Sequence, residues 1–394
     1  MPWSQGPVDE RMEAIELWKA GWAISEIARL KRISRQCLYK WLDRYERDGL
    51  IGLMDQSRAP HGNSRKIPDE IVEELLALKK ETKACGPTTL ADMLNQKYGR
   101  HVISRSAAAA IVARHGLVRR TRRRGRGGVD PTAPLIQPIG SGHTITGDHK
   151  GRILLSNGAP CHPLTLADPA SRFIYAIEAL RSTAVAPALR VFERVFREWG
   201  VPEQIVTDNG VPFCAPAGLG GLTDLTKYWL KLGIQVRRIQ PGKPQQNAIH
   251  ERMHRTLKAA VCREPAASFR GQQRLFDAFR SEYNERRPHR GLNGQVPGSL
   301  VRPCTRSYPR RVEVHYPEHF EVRRVRSNGQ FKWHGQLLFL TETLINENIG
   351  LELVDDGVWD IYFGTQRLAS YDRRTGELVR AVNDVPRLST MSMD

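Results

Sequence analysis

The chain has 394 residues, 40% of them hydrophobic, a formal net charge of +18 and a pI near 9.9. This length predicts two to four domains, and the charge favours a polyanion partner, nucleic acid rather than an anionic membrane surface. Membrane-spanning, secreted and disulfide- or zinc-stabilised classes are excluded, because the sequence has no apolar run of about 20 residues, no signal-peptide pattern and no paired spacing among its six cysteines.

The first helical group is predicted at residues 1–52. Apolar side chains recur at helical spacing over 10–20 and 24–28, and Ser34 is a natural N-cap for a third helix. This pattern is typical of a helix-turn-helix domain, with an ordinary three-helix bundle as the alternative. Four side chains near the start of the third helix are expected to reach base edges and phosphates in the major groove: Arg35, Gln36, Tyr39 and Lys40.

A second helical group follows at 66–117. Pro68 is expected at the first position of its first helix, and Ser104 is expected to cap its last helix, with Arg105 as a DNA-binding candidate. We predict a second helix-turn-helix, although a purely structural bundle fits the pattern as well. Two such modules in tandem would contact a longer DNA sequence than one.

An arginine-rich linker is predicted at 118–139. Such a run repels itself and lacks apolar periodicity, so it is expected to order only against phosphates or a narrow minor groove. A plain linker and a DNA-tracking arm are compatible interpretations. Its candidate DNA-binding residues are Arg119, Arg120, Arg122, Arg123, Arg124 and Arg126.

Two carboxylates are predicted on strands in the next region. Apolar, β-rich segments recur from about 143 to 182, and a helix at 183–199 precedes a strand at 205–207. Asp148 lies on the first strand and Asp208 at the tip of the last. The Asn209-Gly210 pair is expected to end that strand through positive φ angles.

A helix is predicted around residues 248–260. Projection at about 100° per residue collects an apolar sector for burial: Ile249, Met253, Leu257 and Ala260. The opposite sector is expected to face solvent: Glu251, His254, Arg255 and Lys258. A carboxylate followed by cations on one helix face suits a metal site that also holds a phosphate backbone.

These residues resemble the DDE catalytic core of insertion-sequence transposases and retroviral integrases. The resemblance rests on Asp148, Thr-Asp-Asn-Gly at 207–210 and His-Glu-Arg-x-x-x-Thr-Leu-Lys at 250–258, with supporting blocks at 162–172 and 283–292. It covers roughly residues 140–300. The 43 positions between Asp208 and Glu251 exceed the spacing usual in integrase-like members, and a Gly-rich segment at 214–222 accounts for the surplus.

The resemblance implies a metal-dependent site in an RNase H-like core. Asp148, Asp208 and Glu251 would be the catalytic residues and the ligands of two Mg²⁺ ions, with Mn²⁺ as a substitute, while Arg255 and Lys258 would bind the DNA backbone. Three carboxylates suit hard divalent cations. His254 and Asn209 are weaker candidates for positioning DNA, and Asp168 is predicted to be structural, capping a turn or pairing with Arg172.

The complete prediction is a multidomain α+β protein: N-terminal all-α helix-turn-helix modules, an RNase H-like α/β catalytic core at 140–300 and a small β-barrel at 312–380. The barrel's position is similar to that in Mu-type transposases, and either DNA or subunit contact would suit it. The resemblance implies a bacterial, cytoplasmic, nucleoid-associated transposase that binds double-stranded DNA as a homo-oligomer, without membrane. The alternatives are an inactive DNA-binding regulator and an RNase H-like nuclease that only hydrolyses.

Overall fold

The computed structural model describes residues 8–55, 67–82, 84–118, 139–215, 218–240 and 244–380. The chain divides into two compact units, Met1–Lys66 and Ile67–Asp394. The second unit holds the second helical module, the α/β core and the C-terminal sheet. The arginine-rich arm, with its candidate residues between 119 and 126, lies outside the described residues.

The first unit is a small helical domain. Its elements are α1 (Val8–Lys19), α2 (Ile24–Leu30), α3 (Arg35–Asp48) and a 3₁₀ turn (Gly49–Leu53). As predicted, Ser34 caps α3, because its hydroxyl accepts a hydrogen bond of 3.1 Å from the Cys37 backbone N–H. The three helices and the turn enclose one apolar core: Ala14, Ile15, Ile27, Leu38, Leu42 and Leu53.

The second helical module opens the second unit. It consists of α4 (Asp69–Glu81), α5 (Pro87–Lys97) and α6 (Arg105–Arg114). Ser104 caps α6 by accepting a 3.1 Å hydrogen bond from the Ala107 N–H, as predicted. Pro68 is the N-cap of α4 rather than its first helical residue, one position earlier than expected. The Asn95 side chain fixes the turn before α6 through hydrogen bonds to backbone groups of Val102 and Ile103.

The core contains a mixed sheet in the order β4–β3–β1–β5–β6, with the short β2 also paired to β3. Antiparallel pairing joins β4, β3 and β1, whereas β1, β5 and β6 are parallel. The RNase H-like prediction is confirmed by this arrangement. The strands are β1 (Thr144–His149), β2 (Ile153–Leu154), β3 (Pro160–Ala167), β4 (Ile174–Leu180), β5 (Gln204–Thr207) and β6 (Gln235–Arg238).

Helices cover this sheet through two separate apolar clusters. One cluster joins the sheet to α7 (Val185–Trp199) and α8 (Asp224–Lys231), and the other joins it to α9 (Ala248–Ala260) and α10 (Phe269–Ser281). Burying one large apolar side chain contributes about 1.5–3 kcal/mol, so the second cluster, which includes Met253 and Leu257, holds α9 against the sheet. A π-helical turn (Glu282–Arg286) and α11 (Pro297–Leu300) follow α10. None of the described helices combines the length and apolar character that a membrane crossing requires.

The C-terminal domain is an antiparallel sheet in the order β13–β12–β11–β10–β7 with a separate β8–β9 hairpin. A turn at Gly357 joins β10 to β11, with φ +73° at that glycine. Leu222 and Leu230 of the α/β core pack into the same apolar cluster as the sheet. The strands are β7 (Glu321–Arg324), β8 (Gln330–Trp333), β9 (Gln336–Phe339), β10 (Asn348–Asp355), β11 (Val358–Phe363), β12 (Gln366–Asp372) and β13 (Glu377–Arg380).

Candidate active site

The two predicted strand aspartates lie side by side. Gly147 of β1 is the parallel partner of Thr207 of β5, so Asp148 and Asp208 are the next residues on adjacent strands. Neighbouring strands are about 4.8 Å apart, which brings both carboxylates to the same carboxyl edge of the sheet. The sheet register therefore joins residues that are 60 positions apart in sequence.

The turn after Asp208 differs from the prediction. Neither Asn209 nor Gly210 has a positive φ. Instead, the Gly210 N–H donates a 3.1 Å hydrogen bond to Oδ1 of Asp208, and Asn209 Nδ2 donates at 2.7 Å to the carbonyl oxygen of Ile239. A Cβ at position 210 would lie 3.2 Å from Oδ2 of Asp208, so glycine gives the carboxylate room. The turn thus orients Asp208 by hydrogen bonding rather than by left-handed backbone.

Glu251 reaches this edge from α9. Met253 and Leu257 are buried beneath the helix, as predicted, and Glu251 is exposed in its first turn. Arg255 and Lys258 are also exposed, one and two turns further along the same face. The helix therefore presents one carboxylate followed by two cations.

The charges of the three carboxylates interact. The pKa of Asp148 rises to about 7, first because the group is buried and then because the negative charges of Asp208 and Glu251 disfavour its ionisation. The nearby Lys150 opposes this rise. Three carboxylates that repel one another form a donor set with the charge and the hard oxygen atoms that a divalent cation requires.

Two histidines of α9 lie beneath the site, contrary to the prediction that His254 faces solvent. His254 is 5% exposed, its Nε2 lies 2.6 Å from the Thr165 hydroxyl, and its Nδ1 lies 3.4 Å from Oδ2 of Asp148. His250 is 1% exposed, with its two ring nitrogens 2.7 Å from the hydroxyls of Thr146 and Thr165. Burial lowers the pKa of His254 to about 2 and that of His250 to about 3, so both rings are neutral.

A compact group of three possible metal-binding atoms belongs to Asp148, His250 and His254, all within 4.8 Å of one another. Both nitrogens of His250 already contact threonine hydroxyls, so this ring is a structural residue. His254 has one nitrogen turned to Asp148 and is suited to orient that carboxylate. The sequence contained a signal for this pair, since histidines four residues apart share one face of a helix.

Asp168 has the structural role that the sequence predicted. It is fully buried and accepts hydrogen bonds from the hydroxyls of Ser141 and Ser171, both at 2.6 Å, and from the Ala170 N–H at 2.8 Å. These bonds cap the turn between β3 and β4. Three hydrogen bonds from within the chain thus hold the Asp168 carboxylate in this turn.

The predicted DNA-binding residues of the helical modules have different surroundings. The four candidates on α3 are all exposed near its N-terminal end. Arg105, at the start of α6, instead forms an ion pair with Asp92, with Nε donating to Oδ1 at 2.9 Å and Nη2 to Oδ2 at 3.3 Å. Arg105 must therefore exchange this partner if it is to bind a phosphate.

Four family matches follow this domain order. Residues 7–53 and 37–112 match homeodomain-like families, residues 232–297 match the integrase core domain, and residues 320–378 match the C-terminal domain of IS481 family transposases. An uncharacterized 31.7 kDa protein of insertion element IS407 from Burkholderia multivorans is 28% identical over 148 residues, which are 37% of this chain and 51% of that protein. The chain thus spans about half the length of this curated relative.

The solved structures that the chain resembles include viral integrases and a transposase complex. The magnesium-bound catalytic core of HTLV-2 integrase is 12% identical and covers 42% of this chain and 99% of its own, with a TM-score of 0.33. The simian T-cell lymphotropic virus intasome with PP2A subunit B56 gamma is 15% identical, with a TM-score of 0.37. The match covers 78% of this chain and 99% of that chain. The Mos1 strand transfer complex is 13% identical, with a TM-score of 0.30, and the match covers 75% of this chain and 95% of that chain.

The domain matches occur in the same order as the folded domains. Two homeodomain-like matches cover the helical modules, the integrase-core match includes α9 and Glu251, and the IS481 match covers the C-terminal sheet. The chain therefore contains an integrase-core match and a match to an IS481 transposase C-terminal domain, preceded by homeodomain-like helical modules.

Proposed function

We propose that this chain is the transposase of an insertion sequence, which binds terminal inverted repeats and catalyses 3′-end cleavage and strand transfer of DNA. The observation that carries the proposal is the pairing of β1 with β5 beneath α9, since it gathers Asp148, Asp208 and Glu251 closely enough for their charges to raise the pKa of Asp148. A merely structural cluster of this kind would destabilise the fold without a cation to neutralise it.

The three carboxylates would hold two Mg²⁺ ions, with Mn²⁺ as a substitute. Bound there, the ions would stabilise the attacking and leaving oxygens of an in-line displacement at a DNA phosphate. Asp148 and Asp208 would supply ligands from the rigid sheet, and Glu251 would supply one from α9. His254 would keep the Asp148 carboxylate oriented, because its Nε2 is tied to Thr165 and its Nδ1 faces Oδ2 of Asp148.

The remaining charges would bind the DNA. The exposed α3 face with Arg35, Gln36, Tyr39 and Lys40 would contact bases and phosphates of the inverted repeat. The six arginines between 119 and 126 would follow the backbone, and Arg255 and Lys258 would bind phosphates beside the catalytic carboxylates. Action on two ends implies that the chain works as a homo-oligomer.

The test is a cleavage and strand-transfer assay with the purified chain, Mg²⁺ or Mn²⁺, and duplexes that carry the inverted repeats flanking its reading frame. We expect nicked and joined products from the wild type, and a loss of both for Asp208→Asn and Glu251→Gln at unchanged DNA affinity. Removing a metal ligand typically costs several orders of magnitude in rate, because no protein group replaces the lost cation. Chelation of the metal should abolish both products.

Glu198→Gln is the matched control, because Glu198 is an exposed helical glutamate on α7. Full activity of Glu251→Gln would refute the assignment of Glu251. DNA binding without any cleavage by the wild type would instead identify a regulator, and nicked products without joined ones would identify a nuclease.

A further inference from the structure

A second concave site lies on another face of α9, beside the carboxylates. It is a pocket of about 530 Å³ between α9, the segment after the π-helical turn, and the start of α5. Four arginines line it, and none of its described lining residues is Asp or Glu: Arg172, Arg252, Arg287 and Arg290. We call this set the arginine pocket.

Three of the four guanidinium groups have no acidic partner among the residues that the structure describes. Within the described part of the chain, Arg172, Arg252 and Arg290 have no carboxylate within 4.0 Å, whereas Arg287 lies 4.0 Å from Glu282 and donates to Cys85 Sγ at 3.2 Å. Cations gathered in one concavity repel one another unless an anion joins them. The arginine pocket is therefore complementary to a negatively charged ligand.

The pocket has a fixed position relative to the carboxylates. Arg252 follows Glu251 directly, so the two side chains leave α9 about 100° apart. Glu251, Arg255 and Lys258 share one exposed face, while Ala248, Arg252 and Thr256 line the pocket on the adjoining face. A duplex phosphate in the pocket would lie on the strand next to the one at the metal site, or a few nucleotides along the same strand.

Arg172 is built into the pocket wall. Its backbone has φ +63°, a left-handed conformation that costs about 1 kcal/mol for a residue with a side chain, and the Asp168-capped turn directly precedes it. A Cβ on Gly291 would lie 2.0 Å from Nη2 of Arg172, so the absence of a side chain at 291 lets the guanidinium fill its place. Arg172 is thus held in the wall of the pocket, whereas Arg252 and Arg290 are exposed at its surface.

The second helical module forms part of the same wall. Thr89 of α5 lines the pocket, and the module is held to the core by Arg287 with Cys85 and by a 2.7 Å ion pair between Arg286 and Glu81. Arg287 therefore belongs to both the pocket and this junction. A ligand in the pocket would contact the helix-turn-helix module and the catalytic helix together.

We propose that the arginine pocket binds a phosphodiester of the DNA backbone and so fixes the element end relative to the three carboxylates. Planar guanidinium groups bind phosphate oxygens in pairs, which lysine does not do, and all four cations of the pocket are arginines. This inference rests on the proposed function for the identity of the DNA. An acidic protein segment is the competing ligand.

The test measures the affinity of the full-length chain for a short duplex of arbitrary sequence as salt rises from about 50 to 200 mM. Arg252→Gln and Arg290→Gln should each reduce the slope of log K against log salt by about 0.9, the value for one lost phosphate contact. Arg274 is an exposed arginine of α10 outside the pocket, and Arg274→Gln removes the same charge. This control should change the slope by less than half of the change expected for a pocket variant.

Gly291→Ala tests the geometry without changing the charge. The added methyl group must displace the Arg172 guanidinium, so this variant should lose as much slope as an arginine variant. Gly140→Ala, whose methyl group enters open space, is the control. Thermal unfolding of each variant establishes that it folds, and only variants that melt with the wild type are compared.

Unchanged slopes for Arg252→Gln, Arg290→Gln and Gly291→Ala would overturn the inference, even if strand transfer by the wild type succeeds. Direct binding of a polyglutamate peptide that is lost in these variants, while their slopes for the duplex stay unchanged, would favour the acidic protein ligand and also overturn the inference. The wild type could also fail to cleave DNA while the variants still show reduced slopes. That result would support the pocket and refute the proposed catalytic function.

Discussion

At the scale of single residues, strand ends were easier to predict than helix faces. Asp148 lies near the end of β1 and Asp208 directly follows β5, and the parallel pairing of the two strands brings both to the same sheet edge whatever packs around them. His254 lies three residues from both Glu251 and Leu257, about 60° from each around α9. Periodicity alone cannot assign such a residue, and the hydroxyl of Thr165 on β3 decides that it is buried.

We expect His254→Phe to destabilise the chain by about 1–3 kcal/mol, because the larger ring overpacks a buried site and removes one hydrogen bond of Thr165. The Thr165 hydroxyl keeps His250 and the Asp148 carbonyl oxygen as partners. Urea unfolding followed by tryptophan fluorescence measures the change. Arg255→Gln, its exposed neighbour, should stay within about 0.5 kcal/mol of the wild type. Equal effects of the two substitutions would contradict the buried position of His254.

At the scale of elements, local chemistry was readable and long-range packing was not. Ser34 and Ser104 were predicted as caps because an N-cap hydrogen bond reaches only three residues along the chain. The Gly-rich segment at 214–222 was predicted as a loop, yet the Gly220 carbonyl oxygen accepts from Gln366 of β12 at 2.9 Å. No sequence pattern near Gly220 records a partner 146 positions away.

The junction between the α/β core and the C-terminal sheet gives the next prediction. Leu230 of α8 is 2% exposed in the apolar cluster of that sheet, so Leu230→Ala should cost about 2–5 kcal/mol and loosen the sheet from the core. Limited proteolysis should then release a C-terminal fragment faster than in the wild type. Leu353→Ala, where the leucine is 55% exposed, should leave the cleavage rate unchanged. An intact junction in Leu230→Ala would contradict shared packing.

At the scale of the whole molecule, the order of the domains followed from composition and periodicity. The +18 charge predicted a polyanion partner, and the helical, mixed and all-β regions follow one another as the sequence indicated. The packing of the second helical module on the core was not predicted, because it depends on contacts such as Arg286 with Glu81, 205 positions apart. The division into five segments remains a prediction.

Buried histidines give the whole core a common response to acid. Burial is the first cause that lowers their pKa, to about 4 for His149, 3 for His250, 2 for His254 and 4 for His289, against 6.5 for an ordinary histidine. The unfolded chain therefore binds more protons than the folded chain below pH 6.5, and stability falls as pH decreases towards 4. Asp148 acts in the opposite direction, since its folded pKa is raised from 3.8.

We expect the free energy of unfolding to decrease from pH 7 to pH 5, by at most about 1.4 kcal/mol per pH unit for each of these histidines. His289 tests this expectation away from the three carboxylates. Burial and the positive charges of Arg287 and Arg172 lower its pKa. Its Nε2 is buried and has no hydrogen-bond partner in the described structure. His289→Asn should make the unfolding free energy less dependent on pH, because asparagine does not titrate in this range. The difference in bound protons between the unfolded and folded chain should decrease by up to one. Urea unfolding at several pH values measures the slope, with the exposed His115→Asn as control. The same slope in His289→Asn and wild type would mean that His289 is protonated in the folded chain, against the burial that lowers its pKa.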